Sequence, residues 1–235
     1  MKTSSSHNIT FHDWQVGYVA GRALIRMNSV TGSPSFGPGI HGMVAPNGIG
    51  KTSFLQTLAG VLSPLAGWVE WDGKKLNPGA NVLYFSEYLS FPKYIYPTEW
   101  IEFVSGKKWD DRLQPWVDKF RLTNRMQVFL GQMSHGERRK VNWLAALASP
   151  KPIVLLDEPF NGLDLLAFAS AREAITRFRE EGRIVLLVSH QIIDMAGACD
   201  AIYVTRGEAW QLWPAQKDIA DPTALRAGLL EFYRQ

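Results

Sequence analysis

Apolar residues recur along this chain with two different periods, and the switches between them outline the expected elements. Ile153–Leu156 and Ile184–Val188 are unbroken apolar runs, too short for helices, and read as strands buried on both faces of a parallel sheet. Ile40–Val44 and Val82–Phe85 are further short apolar strands. Ser53, Phe54, Leu55 and Leu58 fall on one face of a helix, which Gly60 can end and Pro64 follows. Leu165–Glu181 lies between the two buried runs as a helix and completes a β-α-β unit. Near the start, Ile9–Ile25 is apolar-rich but broken by glycine, as strands and turns are, and Trp68–Trp71 runs into an Asp72-Gly73 hairpin turn. From Phe91 to Leu147 aromatics, charges and helical spacing take over, which predicts a helical insertion. Ala201–Thr205 and Glu208–Leu212 flank Arg206-Gly207 as a closing hairpin, and a short helix is expected near Leu225–Tyr233. The expectation is one α/β domain: a core over about 9–90 and 148–235, a small antiparallel β portion near the N-terminus, and a helical insertion over about 91–147.

Composition narrows the class. With 235 residues, 46% hydrophobic and 20% charged, the chain can bury a sizeable core and is too apolar to be disordered. No apolar run approaches the roughly 18 residues of a membrane span, and the first residues carry no apolar leader segment, so a cytosolic chain is expected. The single cysteine, Cys199, fits a reducing compartment and reads as a small buried hydrophobe. A net charge of +3 is no footprint for nucleic acid. The basic run Arg138-Arg139-Lys140 has no interleaved aromatics and reads as a solvated helix face.

Two segments carry chemistry. Ala45-Pro46-Asn47-Gly48-Ile49-Gly50-Lys51-Thr52 lies between a buried strand and a helix. Glycine-rich backbone there lets successive N–H groups wrap phosphates, the helix N-terminus adds its dipole, Lys51 adds a point charge, and Thr52 offers a hydroxyl to Mg²⁺. The alternative is a plain glycine-rich turn, and Ala45 stands where the motif opens on glycine. The second segment is the strand Ile153–Leu156 ending in Asp157-Glu158-Pro159. A buried parallel strand delivers its carboxylates beside such a loop, with Asp157 placed to hold Mg²⁺ and Glu158 to act as general base on water. The bland alternative is that the two acids cap the next helix.

With these segments in this order, the chain resembles an ATP-binding cassette (ABC) ATPase over about Ile9 to Leu212. The resemblance implies a P-loop NTPase fold with a RecA-like parallel core. Ala45–Thr52 then corresponds to the Walker A loop, with Ser53 beside it, and Asp157 and Glu158 to Walker B and the catalytic glutamate. Asn161-Gly162-Leu163-Asp164 resembles the D-loop, and His190 the switch histidine at the γ-phosphate, against a reading as a structural histidine. Met133-Ser134-His135-Gly136-Glu137 stands at the LSGGQ signature, with His135 for the first glycine and Glu137 for glutamine. Tyr18 is the adenine-stacking aromatic, with Trp14 as its rival, and both can be ordinary packing. Glu87 replaces the Q-loop glutamine, and since a second negative charge near the γ-phosphate is costly, it either contacts Mg²⁺ or points away, and metal contact is the expectation.

The same resemblance implies ATP and Mg²⁺, catalysis by Glu158, His190 and Lys51, and sites shared between two head-to-tail protomers, in a homodimer or a heterodimer. Ser134 and Gly136 of one would close over ATP on the other. A separate membrane permease would hold the pair at the inner face of the cell membrane, and no nucleic-acid partner is expected. Rival readings are a soluble ABC ATPase without a permease, such as one serving iron–sulfur assembly, a non-hydrolysing ATP-dependent clamp, and a small-molecule P-loop kinase.

Overall fold

A computed structural model describes residues 7–19, 22–30, 32–86 and 90–234, without the side chains of Ile192, Ile193 and Asp218. The first half comprises β1 (Ile9–Val16), β2 (Ile25–Met27), β3 (Gly39–Val44), α1 (Lys51–Leu58), β4 (Ala66–Trp71), β5 (Lys74–Lys75), α2 (Pro78–Asn81) and β6 (Val82–Phe85). There follow α3 (Pro97–Ser105), α4 (Gln114–Lys119), α5 (His135–Ala148), β7 (Ile153–Asp157), α6 (Leu165–Glu180) and β8 (Ile184–Val188). The chain closes with α7 (Ile192–Met195), β9 (Ala201–Arg206), β10 (Ala209–Leu212) and α8 (Pro222–Phe232).

The unbroken apolar runs sit inside a six-stranded sheet of order β10-β9-β3-β8-β7-β6, parallel except for β10. Every residue of β7 and of β8 is buried, because both faces of the sheet are covered. Side chains alternate between those faces. Ile153 and Leu155 join Phe54, Leu55 and the β1 aromatics in one core layer, while Val154 and Leu156 join Trp143, Ala171 and Phe178 in the other. The first layer is closed by a second, antiparallel sheet of order β2-β1-β4-β5. The second layer is closed by α5 and α6.

Two expectations shift. The last helix begins at Pro222 rather than near Leu225, because Asp221 accepts from Thr223 N–H (2.8 Å) and Ala224 N–H (3.3 Å) and Pro222 opens the first turn. The run Arg138-Arg139-Lys140 is not a solvated face. Arg139 is 5% exposed and donates to the Asn161 carbonyl at 2.6 Å, Lys140 reaches the Asp164 carboxylate at 2.6 Å, and Arg138 bonds the Met133 carbonyl at 3.0 Å. The basic stretch is used up on nearby backbone and a carboxylate, since α5 is packed on several sides at once.

The edge between β1 and β4 depends on one glycine. The register slips between His12 and Gln15, with Asp13 in the left-handed region at φ 47°, and Gly67 lies against the bulge at φ 72°. A Cβ at Gly67 would stand 2.3 Å from the carbonyl oxygens of both His12 and Asp13, which are backbone and cannot swing aside. Gly67→Ala is therefore expected to lower the unfolding free energy by about 2–4 kcal/mol, from strained backbone plus overpacking, read as a lower urea midpoint at unchanged slope.

Candidate functional site

The chain leaves β3 at Val44 and turns through a loop into α1. Gly48 (φ 84°) and Gly50 (φ 99°) hold left-handed conformations that a side chain would strain, whereas Ala45 is not among the positive-φ residues, so the missing glycine there costs no backbone energy. Gly50 caps α1 with no side-chain acceptor, and the first turn carries no acidic residue. The start of the helix therefore carries no side-chain cap, and its leading N–H groups and the positive end of its dipole are set at the loop. Lys51 folds back on this loop, donating from Nζ to the carbonyls of Ala45 (2.8 Å) and Pro46 (3.2 Å) and to Asn47 Oδ1 (3.5 Å). Burial lowers the Lys51 pKa, while the Glu158 and Asp157 charges act to raise it.

Parity places the acids. Asp157 follows Leu155 by two positions, so its side chain enters the layer that holds α1 rather than the one that holds α5. There it accepts from the Tyr84 hydroxyl at 3.0 Å across the β6–β7 pair. Burial first, and then the Asp157 charge, pushes the Tyr84 pKa up, so the phenol stays a donor. Glu158 sits at φ 48°, because its N–H continues the ladder to the Val188 carbonyl (2.9 Å) while the chain turns away from the sheet. Its carboxylate accepts from the His190 backbone N–H on Oε1 (2.9 Å) and meets His190 Nδ1 on Oε2 at 2.8 Å. A carboxylate oxygen only accepts, so Nδ1 carries the proton in this contact. The reading of Asp157 and Glu158 as caps of the next helix fails, for Asp164 caps α6, accepting from Leu166 N–H (3.1 Å) and Ala167 N–H (2.9 Å).

Tyr18, Asn47, Gly48, Gly50, Lys51, Thr52, Ser53, Asp157 and Glu158 all line one polar cleft of about 410 Å³. Leu24 and Val188 complete its walls, and sequence reasoning named neither for the site. The Tyr18 hydroxyl bonds Ser53 Oγ at 2.7 Å while the residue is 69% exposed, which leaves the ring open to solvent. Trp14, its rival, is 2% exposed and packs on Phe11 and Phe54 as core. Tyr84 was also missed as a site residue. Its signal was a phenol in an apolar strand, which needs a polar partner when buried.

Ser134, His135, Gly136 and Glu137 do not line that cleft. They start α5, where Ser134 Oγ accepts from Glu137 N–H (3.2 Å) and Glu137 returns to Ser134 N–H (2.8 Å). Arg125 holds Glu137 at 2.7 Å. Ser134 accepts in this cap and so keeps its hydroxyl hydrogen. Gly136 is pressed against the Gly162 carbonyl, 3.0 Å from where a Cβ would stand. Glu87 lies outside the described residues.

The donor set fits a hard cation shared with a phosphate. Among the described residues no cluster of three or more His, Cys, Asp or Glu could cage a metal. Asp157 and Thr52 line one cleft and are a carboxylate and a hydroxyl that could hold Mg²⁺ if phosphates and water completed its shell.

A parallel sheet, a glycine-rich loop opening a helix, and acids at the end of a neighbouring strand define the P-loop NTPase class. A family profile for the ABC transporter matches residues 38–161, and the chain belongs to that family. It is 29% identical over 171 residues to an uncharacterized ABC transporter ATP-binding protein of Methanocaldococcus jannaschii, covering 71% of this chain and 63% of that relative's length. It is 32% identical over 174 residues to the cytochrome c biogenesis ATP-binding export protein of Paramagnetospirillum magneticum, covering 66% of this chain and 77% of the relative. The fold is similar to that of a solved ATP-binding subunit of an ABC transporter, with a TM-score of 0.78 at 23% identity over 96% of this chain and 97% of that one. An ABC transporter ATP-binding protein from Pyrococcus furiosus gives a TM-score of 0.70 at 22% identity, covering 84% of this chain and 96% of that one.

The Asp164 cap has a pH signature. The Lys140 hydrogen bond, with that of Ala167, holds its carboxyl below the usual Asp range, so its stabilisation is complete above that range and fades as pH falls through the lowered native value. Asp164→Ala is expected to cost about 1 kcal/mol at neutral pH and progressively less below about pH 4. Urea titrations across pH measure this, and a loss independent of pH would contradict the assignment.

Proposed function

We propose that this chain binds ATP with Mg²⁺ and hydrolyses it as the motor subunit of an ABC transporter, working with a second protomer and a separate membrane permease. The observation that carries the reading is the convergence on one cleft of Lys51, Thr52, Asp157, Glu158 and the uncapped start of α1. The loop N–H groups of residues 47–52 and the Lys51 side chain bind the phosphates, the lysine exchanging its carbonyl contacts for phosphate oxygens. Tyr18 stacks on the base, and Ser53 stands beside the loop. Thr52 and Asp157 hold Mg²⁺, which, when bound, screens the charge on the phosphate oxygens.

Glu158 takes a proton from water as the water oxygen attacks the γ-phosphorus. The bond to the bridging oxygen breaks with its electrons leaving on ADP. His190 fixes the Glu158 carboxylate through its own N–H and Nδ1, so the base is aimed before substrate arrives. Its other ring nitrogen is left for the γ-phosphate, donating when the ring is protonated.

The half-site of Ser134, His135, Gly136 and Glu137 stands apart from its own chain's cleft, which supports completion by a second copy, with Asp164 at the junction. Exposed aromatics on the helical stretch, Tyr94 at 81% and Phe103 at 78%, support a partner surface for a permease. No helix among the described residues is long and apolar enough to cross a membrane, so attachment to the inner face of the cell membrane would run through that partner.

Glu158→Gln is expected to cut turnover by about 100-fold or more while ATP binding persists, and Lys51→Ala to remove binding itself. Sedimentation of Glu158→Gln with magnesium ATP should show a dimer. Turnover unaffected by that substitution would refute the base assignment, and ATP binding without any turnover in the unaltered chain would mark a non-hydrolysing clamp. Co-purification of a membrane subunit tests the permease.

A further inference from the structure

The register of β3 and β9 pairs Val44 with Val204. In a parallel ladder the next bond runs from the Thr205 N–H to the Val44 carbonyl. Here the hydroxyl of Tyr233 engages both ends of that rung. It accepts from Thr205 N–H at 3.2 Å, lies 3.5 Å from Thr205 Oγ1, and donates to the Val44 carbonyl at 2.8 Å. Val44 is the last residue of β3, and the next carbonyl along, that of Ala45, receives Lys51 Nζ at 2.8 Å.

Tyr233 arrives from far along the chain. It is the C-terminal cap of α8, a helix docked by the buried Leu225 and Leu229 and by Phe232 on the main core. At Gly228 the helix lies so close to Trp213 that a Cβ would stand 2.8 Å from the ring atom Cζ2, so α8 is seated at a defined depth. Burial also raises the Tyr233 pKa, which keeps the phenol able to donate.

We infer that Tyr233 is a positioning residue for the glycine-rich loop: its hydroxyl fixes the peptide at which the chain leaves β3, and so ties the C-terminal helix to the nucleotide site. This rests on the reading of that loop as the ATP site. Fixing Val44 fixes the direction in which residues 45–50 depart, and therefore where their N–H groups point. The hydroxyl bonds Thr205 and the Val44 carbonyl and Tyr233 is not among the residues lining the cleft, so its effect falls on ATP affinity and leaves the chemical step alone.

Tyr233→Phe keeps the ring and its packing and removes only the hydroxyl. In the full chain, the Kd for magnesium ATP and the KM should rise about three- to ten-fold, the worth of one hydrogen bond, with kcat within about two-fold of the unaltered protein. Hydrogen exchange at the Thr205 amide should accelerate. A lower Tm with unchanged Kd and KM would show a merely structural tyrosine and overturn the inference, as would unchanged exchange at Thr205. An unaltered chain that binds no ATP would instead refute the proposed function, and the exchange rate would still decide whether the hydroxyl secures the root of the loop.

Discussion

β7 is covered on both faces, so its side chains must alternate between two apolar layers, and parity alone decides which layer each residue enters. A shift of one position would carry Asp157 away from α1 and toward Trp143 and α5, a layer of apolar side chains. The positions of Lys51, Thr52 and Asp157 around one cleft follow from that constraint together with the parallel pairing of β3, β8 and β7. Glu158 extends it by a different device. It stays tied to β8 through Val188 while adopting a left-handed backbone, which turns its carboxylate toward His190 instead of continuing the alternation.

Charge balance within the cleft follows from the same placement. Lys51 is partly buried, and desolvation disfavours its charged form, so the lysine depends on the carbonyls of Ala45 and Pro46 and on the nearby carboxylates. These contacts satisfy the donors of a cation that burial would otherwise disfavour. Tyr84 does the corresponding work for Asp157.

Much of this was legible in the sequence where one physical rule dominates. Fully buried strands declare themselves as apolar runs, and glycine marks Gly48 and Gly50, where only a positive φ lets the loop turn. The parts that were not legible are contacts between elements distant in sequence. Nothing near Arg139 reveals that Asn161 will lie 2.6 Å away, so a run of cations read as solvated when it is packed. The Tyr84 hydroxyl reaches Asp157 across 73 positions and the Tyr233 hydroxyl reaches Val44 across 189, and propensity carries no information at that range. Helix starts fall between these extremes. The Asp221-Pro222 pair announces the beginning of α8, but apolar periodicity, which starts only at Leu225, gives the later position.

The same long-range contacts determine which parts can move together. Arg139 and Lys140 on α5 bind Asn161 and Asp164, which belong to the turn leaving Glu158. Arg139 is buried, and a charge-assisted hydrogen bond there is worth about 1.5–3 kcal/mol. A displacement of α5 that left this turn behind would break that bond, and carrying the turn along would keep it. The start of α5, with Ser134 and Gly136, is thus mechanically linked to the turn beside Glu158, even though those residues stand outside the cleft. At the opposite edge of the cleft the loop is anchored through β3 to β9 and α8. Both edges nevertheless belong to one sheet, since β3 and β7 each pair with β8, and what differs between them is the helix each is tied to: α8 behind the loop, α5 behind the turn after Glu158.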